Sequence, residues 1–140
     1  MLRALDISTS GLTAQRTRLD AISANLANMS SLRDEDGDIR PYQARFVVLE
    51  PDERVSTGAG AVGVRVRSVE TENVEPNYKW DPDHPLAIQE GKWKGYVAYP
   101  NVDMVSEFVD ALVASRAYEA NLGVMEVSKN LGMQSLKIIS

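Results

Sequence analysis

Residues 101–140 read NVDMVSEFVDALVASRAYEANLGVMEVSKNLGMQSLKIIS, and everything else in the chain is arranged around that stretch. From Met104 a stripe recurs at alternating steps of four and three: Met104, Phe108, Ala111, Ser115, Tyr118, Leu122, Met125, Lys129, Gly132, Leu136 and Ile139. Such steps line side chains along one seam of a helix. No proline follows Pro100, so a helix of about 35 residues is allowed, roughly 50 Å long at 1.5 Å per residue. A compact domain of 140 residues is only about 30 Å across. The spacing therefore predicts a helix that outruns its own domain and needs a partner. Asn101 or Asp103 is placed to cap its first turn. Ala111, Ser115 and Gly132 leave room for a second helix to come close.

A candidate partner lies at the other end of the chain. Leu5, Leu12, Leu19 and Leu26 fall seven apart, with Ser8, Gln15, Ile22 and Met29 interleaved. That is a heptad pattern, clean at one position and half polar at the other. Ser8-Thr9-Ser10-Gly11 is a run of poor helix formers, so the first dozen residues are expected to fray in a free monomer and to become helical when packed. Asparagine and serine in Asn25-Leu26-Ala27-Asn28-Met29-Ser30-Ser31 compete for the backbone and stop the helix.

Between the two seams the period changes. All six prolines lie between residues 41 and 100, which excludes a long helix there. Tyr42, Ala44, Phe46 and Val48 alternate with polar neighbours, as do Val62, Val64 and Val66, and Gly95 to Tyr99 is a third strand candidate. Asp34 to Asp38 and Thr57 to Gly60 read as turns. The expected fold is α+β: residues 1–30 and 101–140 form a coiled-coil-like helical domain, and residues 31–100 a small antiparallel β module inserted between its halves.

Composition narrows the function. Apolar residues at 44% and charged ones at 25% match soluble globular proteins and argue against wholesale disorder. A net charge of −5 without a basic stripe argues against nucleic acid. With no cysteine there is no disulfide frame or thiolate metal site. No apolar run approaches the ~20 residues of a membrane span, and Met1 to Asp6 lacks the apolar core of a cleavable signal.

Three motifs suggest chemistry and then fall short. Gly58-Ala59-Gly60-Ala61-Val62-Gly63 matches the dinucleotide glycine pattern but runs into a strand rather than opening a helix, so it reads as a turn. Asp34, Asp36 and Asp38 imitate a calcium loop, but Ile39 stands where glycine is needed and Arg45 where a bidentate glutamate is needed. His84, the only histidine, has no second histidine or cysteine to complete a metal set. No nucleophile, base and acid set is complete, so neither enzyme nor cofactor is expected.

The order of motifs carries a resemblance. Asn25-Leu26-Ala27-Asn28 resembles the Asn-x-Ala-Asn motif of bacterial flagellar axial proteins. Asp83-His84-Pro85-Leu86-Ala87, Gly95-Tyr96-Val97, Pro100-Asn101-Val102-Asp103 and Ala114-Ser115-Arg116-Ala117-Tyr118-Glu119-Ala120-Asn121 resemble, in order, the signature of the proximal-rod members of that family. The resemblance implies a structural subunit of the flagellar basal body, exported by the flagellar type III apparatus without signal cleavage. It implies folding into a helical rod across the periplasm that transmits torque, with other rod proteins and copies of itself as neighbours, no nucleic acid and no membrane insertion. The residues expected at its assembly interface are Leu12, Leu19, Ile22 and Leu26 with Phe108, Leu112, Tyr118, Leu122 and Met125. Asn25, Asn28, Arg116 and Asn121 are expected to fix register by hydrogen bonds. Lys92-Trp93-Lys94 reads as an exposed hairpin tip or a contact with a neighbour. The alternative is a stalked binding module gripping cell-wall glycan or another protein, with Trp80, Trp93 and Tyr96 as glycan-stacking aromatics.

Overall fold

Asp103 decides where the long helix begins. In the computed structural model, which describes residues 2–140, its carboxylate accepts from the amides of Val105 and Ser106 at 3.1 and 3.5 Å and from the Ser106 hydroxyl at 2.9 Å. These bonds, the Ser106 side chain foremost, hold the Asp103 carboxyl below its ordinary pKa. The second expected cap, Asn101, instead donates to the Glu75 carbonyl at 3.1 Å. The order is α1 (Leu2–Ala27), β1 (Arg45–Ser56), β2 (Val62–Thr71), β3 (Asn77–Trp80), β4 (Tyr96–Tyr99) and α2 (Met104–Ile139). The 36 residues of α2 span about 54 Å. Neither helix among the described residues is long and apolar enough to cross a membrane.

The fraying expected of the first dozen residues is not what the structure has: α1 is helical from Leu2. Ser8 and Gly11 are buried, and the hydroxyls of Thr9, Thr13 and Thr17 each donate to a carbonyl one turn back. Packing inside the monomer overrides the weak propensity. The stop falls where asparagine and serine predict it. The Asn28 side chain donates to the Ala24 carbonyl at 2.9 Å and accepts from the Ser31 hydroxyl at 2.9 Å.

The two helices run antiparallel. Gly11 lies against Asn121 and Asn25 bonds to Glu107, so the same interval separates the contacts on both helices in opposite directions. The α+β architecture, two terminal helices with a small antiparallel β module between them, is as the sequence predicts.

The module holds two separate ribbons. β1 and β2 pair antiparallel from Arg45 opposite Thr71 to Ser56 opposite Val62, with irregularities after Val48 and Asp52. This hairpin packs on α1. Its turn closes through Thr57 N–H to the Ala61 carbonyl at 2.8 Å, with Gly60 at φ 86°. β1 continues past the expected end at Val48 and through Pro51, because a two-stranded ribbon has an open edge where a missing N–H breaks no ladder bond. β3, which the sequence reading lacks, pairs with β4 from Asn77 opposite Tyr99 to Trp80 opposite Tyr96. At four residues between Pro76 and Pro82 it is too short for alternation to register.

Candidate assembly surface

The seam that α2 turns toward α1 is Glu107, Ala111, Ala114, Tyr118, Asn121, Met125, Ser128 and Gly132, each buried or half-buried. It is therefore displaced from the predicted stripe. Ala111, Tyr118, Met125 and Gly132 belong to both, but Met104, Phe108, Leu122, Lys129, Leu136 and Ile139 point to solvent. The physical reason is closeness. Where the two helices meet at Gly11 the backbone of α1 comes so near Asn121 that a larger side chain cannot enter. A Cβ on Gly11 would lie 2.8 Å from the Asn121 amide nitrogen. On α1 the buried positions are likewise Ser8, Gly11, Ala14, Ile22 and Asn25. The leucines of the heptad, Leu5, Leu12, Leu19 and Leu26, are half-buried at its edge.

Polar geometry locks this seam at one point. Asn25 is 1% exposed and uses its whole hydrogen-bonding capacity. Its amide nitrogen donates to the Arg45 carbonyl at 2.8 Å and to Glu107 Oε1 at 3.0 Å. Its oxygen accepts from the Arg45 amide and from the Tyr42 hydroxyl, both at 2.8 Å. One side chain thus ties α1 to the start of β1, to the loop before it, and to α2. Burial raises the Glu107 pKa, with the Asn25 bond opposing and Asp110, Glu72 and Asp103 adding to the rise. Burial also raises the Tyr42 hydroxyl pKa. A second clamp holds the hairpin, where the Val64 amide donates to Ser10 Oγ at 3.0 Å.

The outward faces of α2 are a different surface. Val105, Phe108, Val109, Leu112, Val113, Val124, Val127 and Leu131 are all exposed, Val105 by 70% and Leu112 by 57%. The series persists to the end of the helix, where Ile138 is 85% exposed. An apolar surface of this length on one helix marks a place for a macromolecular partner.

The residues expected at the interface divide among these environments. Ile22 and Asn25 are buried, and Tyr118, Asn121 and Met125 lie in the seam within the chain. Leu12, Leu19 and Leu26 flank it, and Phe108, Leu112 and Leu122 face outward. Of the residues expected to fix register, Asn25 and Asn28 both bond to backbone within the chain. Asn28 bonds within its own helix end because it sits just past the last turn. Arg116, on the exposed side of α2, forms no ion pair or hydrogen bond among the described residues. Asn121 donates to the Ala117 carbonyl at 3.0 Å and contributes to the seam by shape, over Gly11. The parts that Glu107, Tyr42, Ser10 and Gly11 play in joining the elements were not singled out from sequence. Glu107 alone had a usable signal, its seven-residue spacing from Ala114, Asn121 and Ser128.

Elsewhere the suggestive motifs resolve into local structure. Asp34 Oδ1 accepts from the amides of Asp36 and Asp38 at 3.1 and 2.8 Å, so the acidic turn is bonded to itself. His84 Nδ1 accepts from the Leu86 amide at 3.0 Å. Among the described residues no acidic or histidine cluster is arranged to hold a metal. Trp93 stacks on Tyr78 at 4.1 Å and meets Tyr96 edge-on at 5.3 Å, with the Lys92 ammonium 5.2 Å from its ring centre. The aromatics thus form a small core of their own around the β3–β4 ribbon, and Gly95, at φ 84°, leaves space for the Trp80 ring.

Comparison with known proteins agrees with this geometry at both helices. Residues 5–31 match a family model described as flagella basal body rod protein. Residues 94–138 match one described as flagellar basal body rod FlgEFG protein C-terminal. The chain is 39% identical to the flagellar basal-body rod protein FlgC of Borreliella burgdorferi, covering 99% of this chain and 97% of that one. It is 38% identical to FlgC of Escherichia coli O6:H1, with 99% and 97% covered, and 36% identical to FlgC of Bacillus subtilis, with 96% and 95% covered.

Proposed function

This chain belongs to the FlgC family of flagellar basal-body rod proteins, and on that premise we infer that it serves as a structural, non-catalytic subunit of the proximal rod, joined to its neighbours through its terminal helices. The observation that carries this reading is the contrast between the two sides of α2. The side facing α1 is closed by small and hydrogen-bonded residues, so the exposed Phe108, Leu112, Leu122 and Val127 are left for other subunits. Each large apolar side chain covered on assembly contributes about 1.5 to 3 kcal/mol before the cost of association. Residues 1–30 with 101–140 form the rod core, and residues 31–100 face away from it.

Torque passes along such a rod by compression and shear of packed helices, which requires no chemistry, cofactor or metal. The neighbours are copies of this chain and other rod proteins. Delivery runs through the flagellar export apparatus to the periplasm-spanning rod without signal cleavage or membrane insertion; the absence of a spanning helix among the described residues supports that route. The test is Leu112→Asp. Its side chain is 57% exposed, so the monomer keeps its fold and is still secreted, while incorporation into rods and motility are lost. Motile cells carrying that variant would overturn the reading.

A further inference from the structure

The short ribbon of β3 and β4 has one edge that the chain leaves open. The Tyr96 amide donates to the Trp93 carbonyl at 2.9 Å, and the Tyr96 carbonyl accepts from the Ile88 amide at 2.9 Å. Both backbone groups of Tyr96 are thus spent on the segment that leads into β4 rather than on β3. Trp80, which stands opposite Tyr96, is therefore at a non-hydrogen-bonded position, and by alternation so is Tyr78, opposite Ala98. The amides and carbonyls of Asn77 and Lys79 point toward β4, and those of Tyr78 and Trp80 point to the outer edge. No loop or side chain among the described residues bonds to the backbone of Tyr78 or Trp80, and β3 packs on no element except β4.

The side chains of this edge alternate in character. Tyr78 and Trp80 lie on one face of the ribbon and Lys79 on the other. Tyr78 is fixed by its stack with Trp93, and Trp80 by its edge-on contact with Tyr96 at 5.1 Å and its close approach to Gly95. Trp80 nevertheless stays 60% exposed. Lys79 is exposed and forms no ion pair among the described residues. It is the only charged residue of β3. The other charges nearby lie off the edge: Glu75 precedes β3, Asp81 and Asp83 follow it, and Glu90, Lys92 and Lys94 belong to the segment before β4.

We infer that the outer edge of β3 receives an extended segment of a partner protein as a third strand, with apolar residues beside Tyr78 and Trp80 and an acidic residue beside Lys79. The free amides and carbonyls supply its alignment, Trp80 its apolar contact and Lys79 its charge preference. A second copy of this chain is a poorer occupant. Antiparallel pairing of two such edges about their centre sets Lys79 against Lys79, and a lysine on an edge strand resists that kind of self-pairing. The site belongs to the β module and stands independently of the apolar faces of α2 on which the subunit reading rests.

Two measurements on the full chain test the inference. In the free protein the amides of Tyr78 and Trp80 are expected to exchange with solvent at least about tenfold faster than that of Lys79, after correction for intrinsic rates. Equal protection would show a closed edge and overturn the proposal. The second probe is a short acetylated peptide alternating valine and glutamate, followed by tryptophan emission and by amide exchange. It is expected to shift the Trp80 emission and to slow exchange at Tyr78 and Trp80. N-methylation of the peptide, lysine in place of its glutamates, or Trp80→Ala in the protein is each expected to weaken binding at least about tenfold. Lys79→Glu is expected to transfer the preference to the lysine peptide. Both side chains are exposed, so these variants keep the wild-type circular dichroism. No binding of the parent peptide at about 10 mM, equal binding of its N-methylated form, or an unchanged preference in Lys79→Glu would each overturn the proposal. Chitotetraose shifting the Trp80 emission where the peptide does not would assign the aromatic face to sugar and overturn it too. So would self-association of the chain that Tyr78→Pro abolishes, since proline there removes only an edge amide and the edge would then belong to a second copy.

Discussion

The inner and outer sides of α2 are built by opposite rules. The inner side uses Ala114, which is wholly buried, with Asn121 packed over Gly11 and Glu107 bonded to Asn25. The outer side uses Val105, Val109, Leu112 and Val127, which a monomer leaves in water. The contact made within one chain is thus small, close and polar at its anchor, whereas the surface available between chains is large and apolar. Shape and hydrogen bonds specify a unique pairing. Apolar area supplies the force for association and tolerates many partners. A subunit that must find its own fold before it finds its neighbours gains from keeping the two on separate faces.

The comparison breaks most sharply at Asn25. Asn25→Leu leaves the Arg45 amide and carbonyl, the Tyr42 hydroxyl and Glu107 without their shared partner. With about 1 to 3 kcal/mol for each buried group left unpaired, the monomer is expected to lose about 3 kcal/mol or more in urea unfolding. A loss below about 1 kcal/mol would show that the anchor does not specify the pair. Gly11→Val comes next. Its branches meet Asn121, whose amide nitrogen would already be 2.8 Å from a Cβ, and overpacking of this kind costs about 1 to 3 kcal/mol. Asn121→Ala in the same chain is expected to recover part of that cost, read as a coupling energy in a double-mutant cycle.

Much of this was legible in the sequence, for reasons that are physical. The length of α2, its start near Asp103 and the stop of α1 at Asn28 follow from periodicity, capping and the absence of proline. The phase of the seam does not. The hydrophobic stripe points to the most apolar face, and in this chain that face is rotated from the seam, with Ala111, Tyr118, Met125 and Gly132 inside and Phe108 and Leu122 outside. Asn25 is marked in the sequence as a hydrogen-bonding residue, but its bonds to Arg45 and Tyr42 depend on where β1 meets α1. Asn28 and Arg116 carry the right chemistry for register yet lie off the seam. The ordered start of α1 was hidden for the same reason as β3: tertiary contacts decide elements whose local signal is weak.

Glu107 sharpens the comparison through pH. Its carboxyl is raised above the ordinary glutamate value, mainly by burial. A raised pKa means that the folded chain holds the proton more tightly than the unfolded one. The stabilisation from this group is therefore fully present below the ordinary pKa of about 4.3 and is lost as pH rises through the higher folded value. Asp103 has the opposite sign: its hydrogen bonds lower its pKa, so its contribution is present above the ordinary aspartate value and lost as pH falls through the folded one. Glu107→Gln keeps an acceptor for Asn25 and removes the charge. It is expected to stabilise the monomer at neutral pH and to flatten the fall in stability that Glu107 creates as pH rises above about 4.3. An unchanged slope would place that titration elsewhere.

The smallest expected effect on the monomer tests the outer side most directly. Val109 is 53% exposed on the face away from α1. Val109→Ser removes apolar surface without opening a buried cavity, because the residue is more than half exposed. Valine and serine differ little in helix propensity, so urea unfolding of the monomer is expected to shift by less than about 0.5 kcal/mol. Self-association of the full chain should weaken all the same, since the loss falls on surface that only another subunit covers. If instead the monomer lost stability as a core variant does, Val109 would be packed within its own chain and the division between the two faces of α2 would fail.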